Sequence, residues 1–435
     1  MNIRDPIHGS IPLDELESAV VRSPYMQRLR SIKQMGFSDI AFPGATHSRF
    51  LHSIGAMHLA GIAFDSIFQH YAFERADQKS ILRQVVRLAA LLHDIGHAPL
   101  SHCTEFAMPS VQALRLPLHR DRADPINRRA THEDYTLKII SDSSLSEVIR
   151  ARAKAFTPAH VAALIDAEVP LDDDLFRDRG QCFRNVLSQI VSSELDVDRM
   201  DYLRRDSYFA GVGYGGYDQQ WIFHHLTFYV DDDNQANLAL DPRAIYAFND
   251  FLIARYHMFL MVYFHHKSVI YEEMLRRFFQ SKDAGYKIPS DIEAYLDVDD
   301  YQLYSILKKR AREGHAWADR IVSGRPYQLL IERHGKAEDI DLRPISDRLG
   351  SAGIDFIETS SRGDLSRYTQ PGNKRRRGTS IYVYEKPDNE RIRNRKAMLL
   401  EESSHLFAAY ESQRRIRRIY VPDERLGDAR RALDL

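Results

Sequence analysis

An apolar run that ends in histidines constrains this chain more than any other feature. Val85-Val86-Arg87-Leu88-Ala89-Ala90-Leu91-Leu92 reads as a buried helix and runs straight into His93-Asp94-Ile95-Gly96-His97, with His102 five positions on. A hydrophobic helix has no structural use for so many polar groups at one end. If they are buried there, something must coordinate or hydrogen-bond them. A helix C-terminus, where imidazoles answer free carbonyls and the negative end of the dipole, accounts for one histidine. It does not account for the His93-Asp94 pair, nor for three histidines within ten positions. Neutral imidazole and ionised carboxylate are ligands of borderline or hard divalent metals, so the segment points to a metal or catalytic site. Adjacent ligands on a regular helix diverge by about 100°, so the helix must end there or the metal must sit between the two directions.

Two further segments share this character. Phe42-Pro43-Gly44 leads into a helix carrying Ile54, Met57, Leu59, Ile62 and Phe64, on which Arg49 and His52 stand three apart and share a face. Far downstream, Glu194-Leu195-Asp196-Val197-Asp198-Arg199-Met200-Asp201-Tyr202 continues to Asp206, alternating acids with bases inside a helix-compatible stretch. Any one of these carboxylates could sit in a surface ion pair. Four of them, at 196, 198, 201 and 206, are hard to place on one solvated face.

The set His52, His93-Asp94 and Asp198 resembles the four metal ligands of the HD-domain metal-dependent phosphohydrolases. The similarity extends to Asp5-Pro6-Ile7-His8-Gly9, Gln27-Arg28-Leu29-Arg30, the run from Pro43 through His47, Arg49 and His52 to Ser53, His93-Asp94-x-Gly96-His97-x-Pro99-x-Ser101-His102, and Asp196-Val197-Asp198-Arg199-x-Asp201-Tyr202. Together these blocks, within residues 1–275, resemble the deoxynucleoside triphosphate triphosphohydrolase branch. The resemblance implies a mainly α fold with an HD-domain helical core over 1–280, and the change to short β-like runs beyond it predicts a smaller α+β C-terminal region over 281–435, expected to serve oligomerisation or regulation.

The same resemblance implies the chemistry. His52, His93, Asp94 and Asp198 would hold one divalent metal per subunit, with additional Mg accompanying a triphosphate. Two imidazoles and two carboxylates suit Mn, Fe, Ni or Zn, and such an ion polarises a phosphoryl oxygen and lowers the pKa of water. His102 is expected as general acid, Glu105 as its orienter and His132 as a supporting group, since a carboxylate-held imidazole can give up a proton near pH 7. Arg49, His97, Arg199 and Tyr202 would contact phosphate, and Gln34 and Asp206 the sugar. The implied reaction is attack of metal-activated water on the α-phosphorus of a dNTP, releasing deoxynucleoside and triphosphate. The alternatives are another nucleotide substrate, such as a modified nucleoside triphosphate or an alarmone, or a nucleotide- or nucleic-acid-binding regulator with a vestigial site.

Departures from the branch fall at particular positions. Arg22 stands where its eukaryotic members carry an acid that reads guanine in an activator site, while Gln27 and Arg30 are kept. Tyr256 falls where an arginine holds the phosphate tail, and Phe264 where a tyrosine stacks on the base. A nucleotide activator therefore remains open, and a homo-oligomer, dimer or tetramer, is expected. No Gly-Tyr-Pro signature of the cyclic dinucleotide phosphodiesterases is present.

Composition sets the remaining bounds. The 435 residues, 44% hydrophobic and 28% charged, suit a soluble chain with one large core and an appended region. No apolar run is expected to span a membrane and the first residues lack a signal peptide's apolar stretch. Two cysteines, Cys103 and Cys182, fit a reducing cytoplasm, with Cys103 read as a small packed residue. A net charge of −1 gives no global pull toward nucleic acid.

Most segments before 280 read as helical, including 157–167, 181–206 and one long aromatic helix over 249–279 whose rings are expected mainly in the core. The Arg- and Asp-rich segment 120–129 reads as an exposed connection, and Thr131 as the start of a capping box. The glycine run 211–216 is equally compatible with a turn and with a ligand cradle. β-like runs are expected at 327–331, 354–357, 380–384 and 419–421. Basic clusters at 374–377 and 414–418 read as a loop tip and a solvated helix end rather than as phosphate sites.

Overall fold

Helices α1 (Arg49–Ile67) and α2 (Gln78–Leu92) pack against each other at the centre of the molecule. In α2 the apolar residues Leu82, Val85, Val86, Leu88, Ala89, Leu91 and Leu92 are all inaccessible, as the periodicity predicts. The computed structural model describes residues 1–117, 128–171, 174–336, 339–363, 380–384, 397–404, 406 and 414–435, so most of segment 120–129 and the basic cluster 374–377 lie outside the described residues. Contrary to expectation, α1 is long and apolar enough by composition to cross a membrane. It is apolar on nearly every side because the core surrounds it.

Helix α3 (His132–Ser141) begins at Thr131 in a capping box closed by Asp134. Helix α4 (Val197–Ala210) begins at Asp196, whose carboxylate accepts the N–H groups of Arg199 at 2.8 Å and Ser193 at 2.7 Å. It crosses α1 at Gly55, where a Cβ would stand 2.0 Å from Asp201 Oδ1. Gly211, with φ +70°, ends α4, and Gly215 packs against the Leu203 carbonyl. The glycine run is a structural turn, since none of it lines the central cavity.

The aromatic stretch expected as one helix is two. Helices α5 (Ile245–Met258) and α6 (His266–Gln280) are separated by a π-helical turn, Phe259–Tyr263, and by His265 in extended conformation with its ring accepting the Lys267 N–H at 3.3 Å. The extra residue of a π turn rotates the chain beyond it about the helix axis. Phe259, Tyr263 and Phe264 are thereby brought to the cavity wall, while Phe248 and Phe251 stay in the core.

The strands run from two to eight residues and form small sheets beside the helices. β1 (Asn2–Asp5) and β2 (Gly9–Pro12) form an N-terminal hairpin, and β3 (Leu226–Val230) pairs antiparallel with β4 (Ala236–Leu240). Helix α7 (Asp300–Arg312) precedes β5 (Gln328–Gly335), β6 (Ile357–Gly363), β7 (Tyr382–Val383), β8 (Met398–Leu399) and β9 (Arg414–Val421). β7 runs parallel to β4 and gives a four-stranded sheet ordered β8-β7-β4-β3, whereas β9 lies between β5 and β6, antiparallel to both. The cluster 414–418 is therefore part of a central strand and not a helix end. Alternation along β9 divides it between two cores: Tyr420 joins the main one, and Ile419 and Val421 join a small one with Ile340, Leu349 and Ile354. Two of its arginines are paired across the sheet, Arg418 with Glu332 at 2.5 Å and Arg417 with Glu358.

Candidate active site

α2 ends at Leu92, as adjacent ligands require, and His93 Nδ1 donates to the Ala90 carbonyl at 2.8 Å. On α1, His52 Nδ1 donates to Asp201 Oδ2 at 2.8 Å. With each Nδ1 acting as donor, each Nε2 is left as a lone pair aimed inward. Both Nε2 atoms are buried and make no hydrogen bond. Facing them are Asp198 Oδ1, 3.0 Å from His52 Nε2 and 3.5 Å from His93 Nε2, and Asp94, whose oxygens lie 3.5 and 3.3 Å from the same two nitrogens.

Four donors converging around bare imidazole nitrogens fit a divalent cation. Electrostatics agree. Burial opposes a charge on His52, yet the neighbouring carboxylates of Asp198 and Asp201 push its pKa up to about 10, so the cluster favours positive charge at this point, whether a proton or a metal ion. Asp94 is likewise held well below the carboxylate range, against its burial, by Arg49, His93 and His97.

Behind these ligands lies a layer that sequence reasoning left without a role. Asp201, fully buried, accepts from His52, from His8 Nε2 at 2.6 Å and from Arg205 Nε and Nη2 at 2.8 and 2.9 Å. Arg205 Nη1 in turn reaches Asp5 Oδ2 at 2.8 Å, and Asp5 Oδ1 accepts the backbone N–H groups of Ile7 and His8. The block around Asp5-Pro6-Ile7-His8 thus orients a metal ligand through Asp201. Arg28 plays a comparable part from the opposite side, donating Nη2 to the His97 carbonyl at 2.7 Å and Nε to the Val298 carbonyl at 2.8 Å. Gln27 and Arg30 bond each other at 2.9 Å.

A second group of histidines adjoins the first. His97 stacks on His132 with centroids 3.9 Å apart, and His102 stands edge-on to both. Glu105 accepts from His132 Nδ1 at 2.6 Å and its backbone N–H at 3.0 Å, but lies 3.4 Å from His102 Nδ1. The carboxylate expected to orient His102 therefore holds His132 more tightly. These bonds keep Glu105 ionised, its pKa well below the usual range despite partial burial. His102 exposes 65% of its side chain, into the cleft, and loss of bulk solvation there lowers its pKa, helped by Arg49 and His132. His97 is held well below the normal imidazole value by burial, Arg49 and His132, and so is neutral.

His93, Asp94 and Asp198, with His97, His102 and His132, open on one cavity of about 810 Å³. Arg49 donates to Asp94 and, through Nε, to Ser101 Oγ at 2.6 Å. Arg199 and Arg255 both reach Glu194 Oε2, at 3.0 and 3.1 Å, and both line the cavity. Tyr256 is instead directed into the core, so Arg255, one residue earlier, is the arginine at the wall. Asp206 accepts from His47 Nε2 and from the Tyr263 hydroxyl, each at 2.7 Å. Gln34 and Tyr202 complete this side, and Gln34 Oε1 is buried without a partner. Every site residue expected from the sequence falls on or beside this cavity except His52 and Glu105, which act just behind its wall.

The N-terminal part of the fold matches the HD domain over residues 49–206 and the HD associated region over 218–330. The chain is 31% identical to YwfO of Bacillus subtilis (strain 168) over 312 residues, 68% of this chain and 62% of that protein. It is 28% identical to the human deoxynucleoside triphosphate triphosphohydrolase SAMHD1 over 330 residues, 70% of this chain and 50% of that one. The chain thus spans between half and two thirds of these curated relatives. A crystal structure from Aquifex aeolicus superposes over the full chain and 99% of its own, with a TM-score of 0.73 and 26% identity. With the ligand geometry and these matches in agreement, the chain belongs to the HD-domain superfamily, alongside its deoxynucleoside triphosphate triphosphohydrolases.

Proposed function

We propose that this protein is a dNTP triphosphohydrolase, converting a deoxynucleoside triphosphate and water into deoxynucleoside and intact triphosphate. The observation that carries the reading is the pair of bare, buried Nε2 atoms of His52 and His93, opposed by Asp94 and Asp198 in a cavity that also holds His102, Arg199 and Arg255. When bound to these four ligands, a divalent metal supplies charge neutralisation and lowers the pKa of water. Arg49, Arg199 and Arg255 offer guanidinium groups to phosphate oxygens. Water attacks the α-phosphorus, the bond to the 5′ oxygen breaks, and His102 delivers the proton which that oxygen needs. A lowered pKa on His102 makes it a willing donor once protonated, and Glu105 fixes the histidine pair around it. The reading takes the protein as a cytoplasmic homo-oligomer, with both cysteines free.

Incubation of the purified protein with Mn²⁺ and each dNTP, alone and mixed, with chromatography of the products, tests this. Nucleoside plus intact triphosphate is expected. Orthophosphate or pyrophosphate would keep a phosphohydrolase but sink the triphosphohydrolase, and no turnover with metal bound would point to another nucleotide. Activity only in mixtures would reveal a nucleotide activator despite Arg22.

A further inference from the structure

Asp206 is buried in the cavity wall, and among the described residues no arginine or lysine is ion-paired with it. Its two oxygens are held from two sides instead. His47 Nε2 donates to Oδ1 and the Tyr263 hydroxyl donates to Oδ2, each at 2.7 Å. His47 comes from the segment before α1 and is stacked on Phe209, with ring centroids 4.5 Å apart. Tyr263 is the last residue of the π turn, and its ring stands edge-on to Phe259 and Tyr202 at 5.0 and 6.3 Å. Burial and the Asp206 carboxylate raise the Tyr263 pKa well above its ordinary value, so the phenol keeps the proton it donates. An ionised carboxylate has about four acceptor positions, so with one donor on each oxygen Asp206 has capacity left. Gln34, whose backbone N–H bonds the His47 carbonyl at 3.0 Å, brings a second acceptor, its buried and unpartnered Oε1. A carboxylate without a fixed cation beside an acceptor without a donor calls for a neutral donor on the ligand.

Helix α4 sets where that acceptor stands. Asp198, Tyr202 and Asp206 are spaced four apart and all line the cavity, so one face of α4 leads from a candidate metal ligand past Tyr202 to Asp206. The distance along the helix is about 12 Å. Guanidinium groups gather at the near end, where Arg49 is bonded to Asp94 and Arg199 follows Asp198. Phosphate is drawn to that end and repelled by Asp206. In a dNTP that reacts at the α-phosphorus, the sugar is the part joined to the phosphates. Its one hydroxyl, at 3′, is a neutral donor that all four dNTPs share.

Resting on the triphosphohydrolase reading, we infer that Tyr263 is a positioning residue: it holds Asp206 so that the carboxylate accepts the 3′-hydroxyl of the sugar, and so makes the site demand that group. Without the Tyr263 hydroxyl, Asp206 is held through one oxygen and can turn about its last torsion, which has no sharp preference of its own. That loss falls on the sugar hydroxyl, which needs a fixed lone-pair direction. It spares the phosphate contacts at the other end of the face.

The test compares a dNTP with its 2′,3′-dideoxy counterpart, in the unaltered protein and in Tyr263→Phe, which removes the hydroxyl alone. Each pair is measured by kcat/KM with Mn²⁺ and by calorimetric binding in a His102→Ala background where the nucleotide persists. The unaltered protein should favour the 3′-hydroxyl by about a hundredfold or more, because the dideoxy nucleotide leaves buried acceptors unpaired. Tyr263→Phe should weaken the dNTP about tenfold, through KM more than kcat, and leave the dideoxy nucleotide little changed. The preference then narrows, whereas loss of a residue that only supports the fold would weaken both nucleotides alike. A preference unchanged or widened in Tyr263→Phe overturns the inference, as does equal affinity for the two nucleotides before substitution. A Tyr263-dependent preference in binding, without nucleoside and triphosphate as products, overturns the reaction and leaves the positioning role standing. Turnover to those products with the preference unmoved does the reverse, and failure of every dNTP to bind overturns both.

Discussion

Asp201 is not among the residues lining the cavity, yet it sets the geometry of the candidate metal ligand His52. A histidine ligand binds well only in one tautomer and one ring orientation, and His52 has both fixed by the 2.8 Å bond to Asp201. Asp201 is in turn fixed by His8 and Arg205, all three sealed from solvent or nearly so. Asp201→Asn keeps the shape but takes away the charge that Arg205, His8 and His52 share. Metal affinity should fall by about 10- to 100-fold, as for comparable partners of histidine ligands. A chelator competition assay below the unfolding midpoint reads this directly, and unchanged affinity would mean that His52 orients itself. Asp198 and Asp201 stand three apart on one face of α4 and are chemically identical, so the sequence alone does not say which meets the metal and which supports His52.

At the level of elements, the motif loop depends on a helix that lies two hundred residues away. Leu100 and Ser101 adopt φ of 55° and 59°, a left-handed conformation that costs non-glycine residues free energy and persists only when neighbours hold it. Asp300, the first residue of α7, does so by accepting the Leu100 N–H at 2.7 Å and the Lys33 N–H at 2.9 Å. Burial raises its pKa from 3.8 to about 6, against those same bonds. The folded chain therefore keeps a proton on Asp300 up to about pH 6 that the unfolded chain releases near pH 4. That stabilising contribution is complete below pH 4 and lost as the pH rises through 6, about 3 kcal/mol in all at 1.4 kcal/mol per unit. Asp300→Asn should flatten this stretch of the stability–pH curve, measured by urea unfolding at pH 4, 5, 6 and 7; an unchanged slope would show that the carboxyl is not the source. Local elements of this kind are the ones the sequence reveals: α1 and α2 follow from their apolar runs, α4 from a helix-compatible stretch of alternating acids and bases, and the end of α2 from the polarity of His93-Asp94. The supports do not, because Asp5, His8, Arg28 and Asp300 act on partners far along the chain and have the side-chain types of ordinary surface ion pairs. The break in the aromatic stretch escaped for a different reason: Phe259 to Tyr263 is as apolar as the helix before it, and only the extended backbone at His265 ends the run.

For the molecule as a whole, the question is whether the C-terminal strands stand apart from the helical core or belong to it. Composition changes near residue 280, and an independent region there predicts two unfolding transitions. The packing predicts one. Ile357, Ile381, Leu400 and Tyr420 lie in the same apolar cluster as Leu91 and Phe50, and β7 is paired in register with β4. The strongest tie is Tyr420, fully buried, with its hydroxyl donating to the His266 carbonyl at 3.1 Å at the start of α6. β9, which carries Tyr420, pairs with β6, and residues 358–362 of β6 border the active-site cavity. Five consecutive residues can border a cavity only if the strand presents its edge, since a face would contribute every second one. Pairing to β9 is thus what keeps that edge over the cavity. Truncating Tyr420 to alanine removes a large buried aromatic side chain and should cost about 3–5 kcal/mol. Because β9 is shared, the loss should also uncouple the small core from the main one. Calorimetry of the unaltered protein should then show a single transition, and Tyr420→Ala a lower, split one, with KM for the nucleotide raised as the β6 edge loosens. Two transitions before any substitution would place a true boundary near 280 and make the strand edge a neighbour of the site rather than part of its wall.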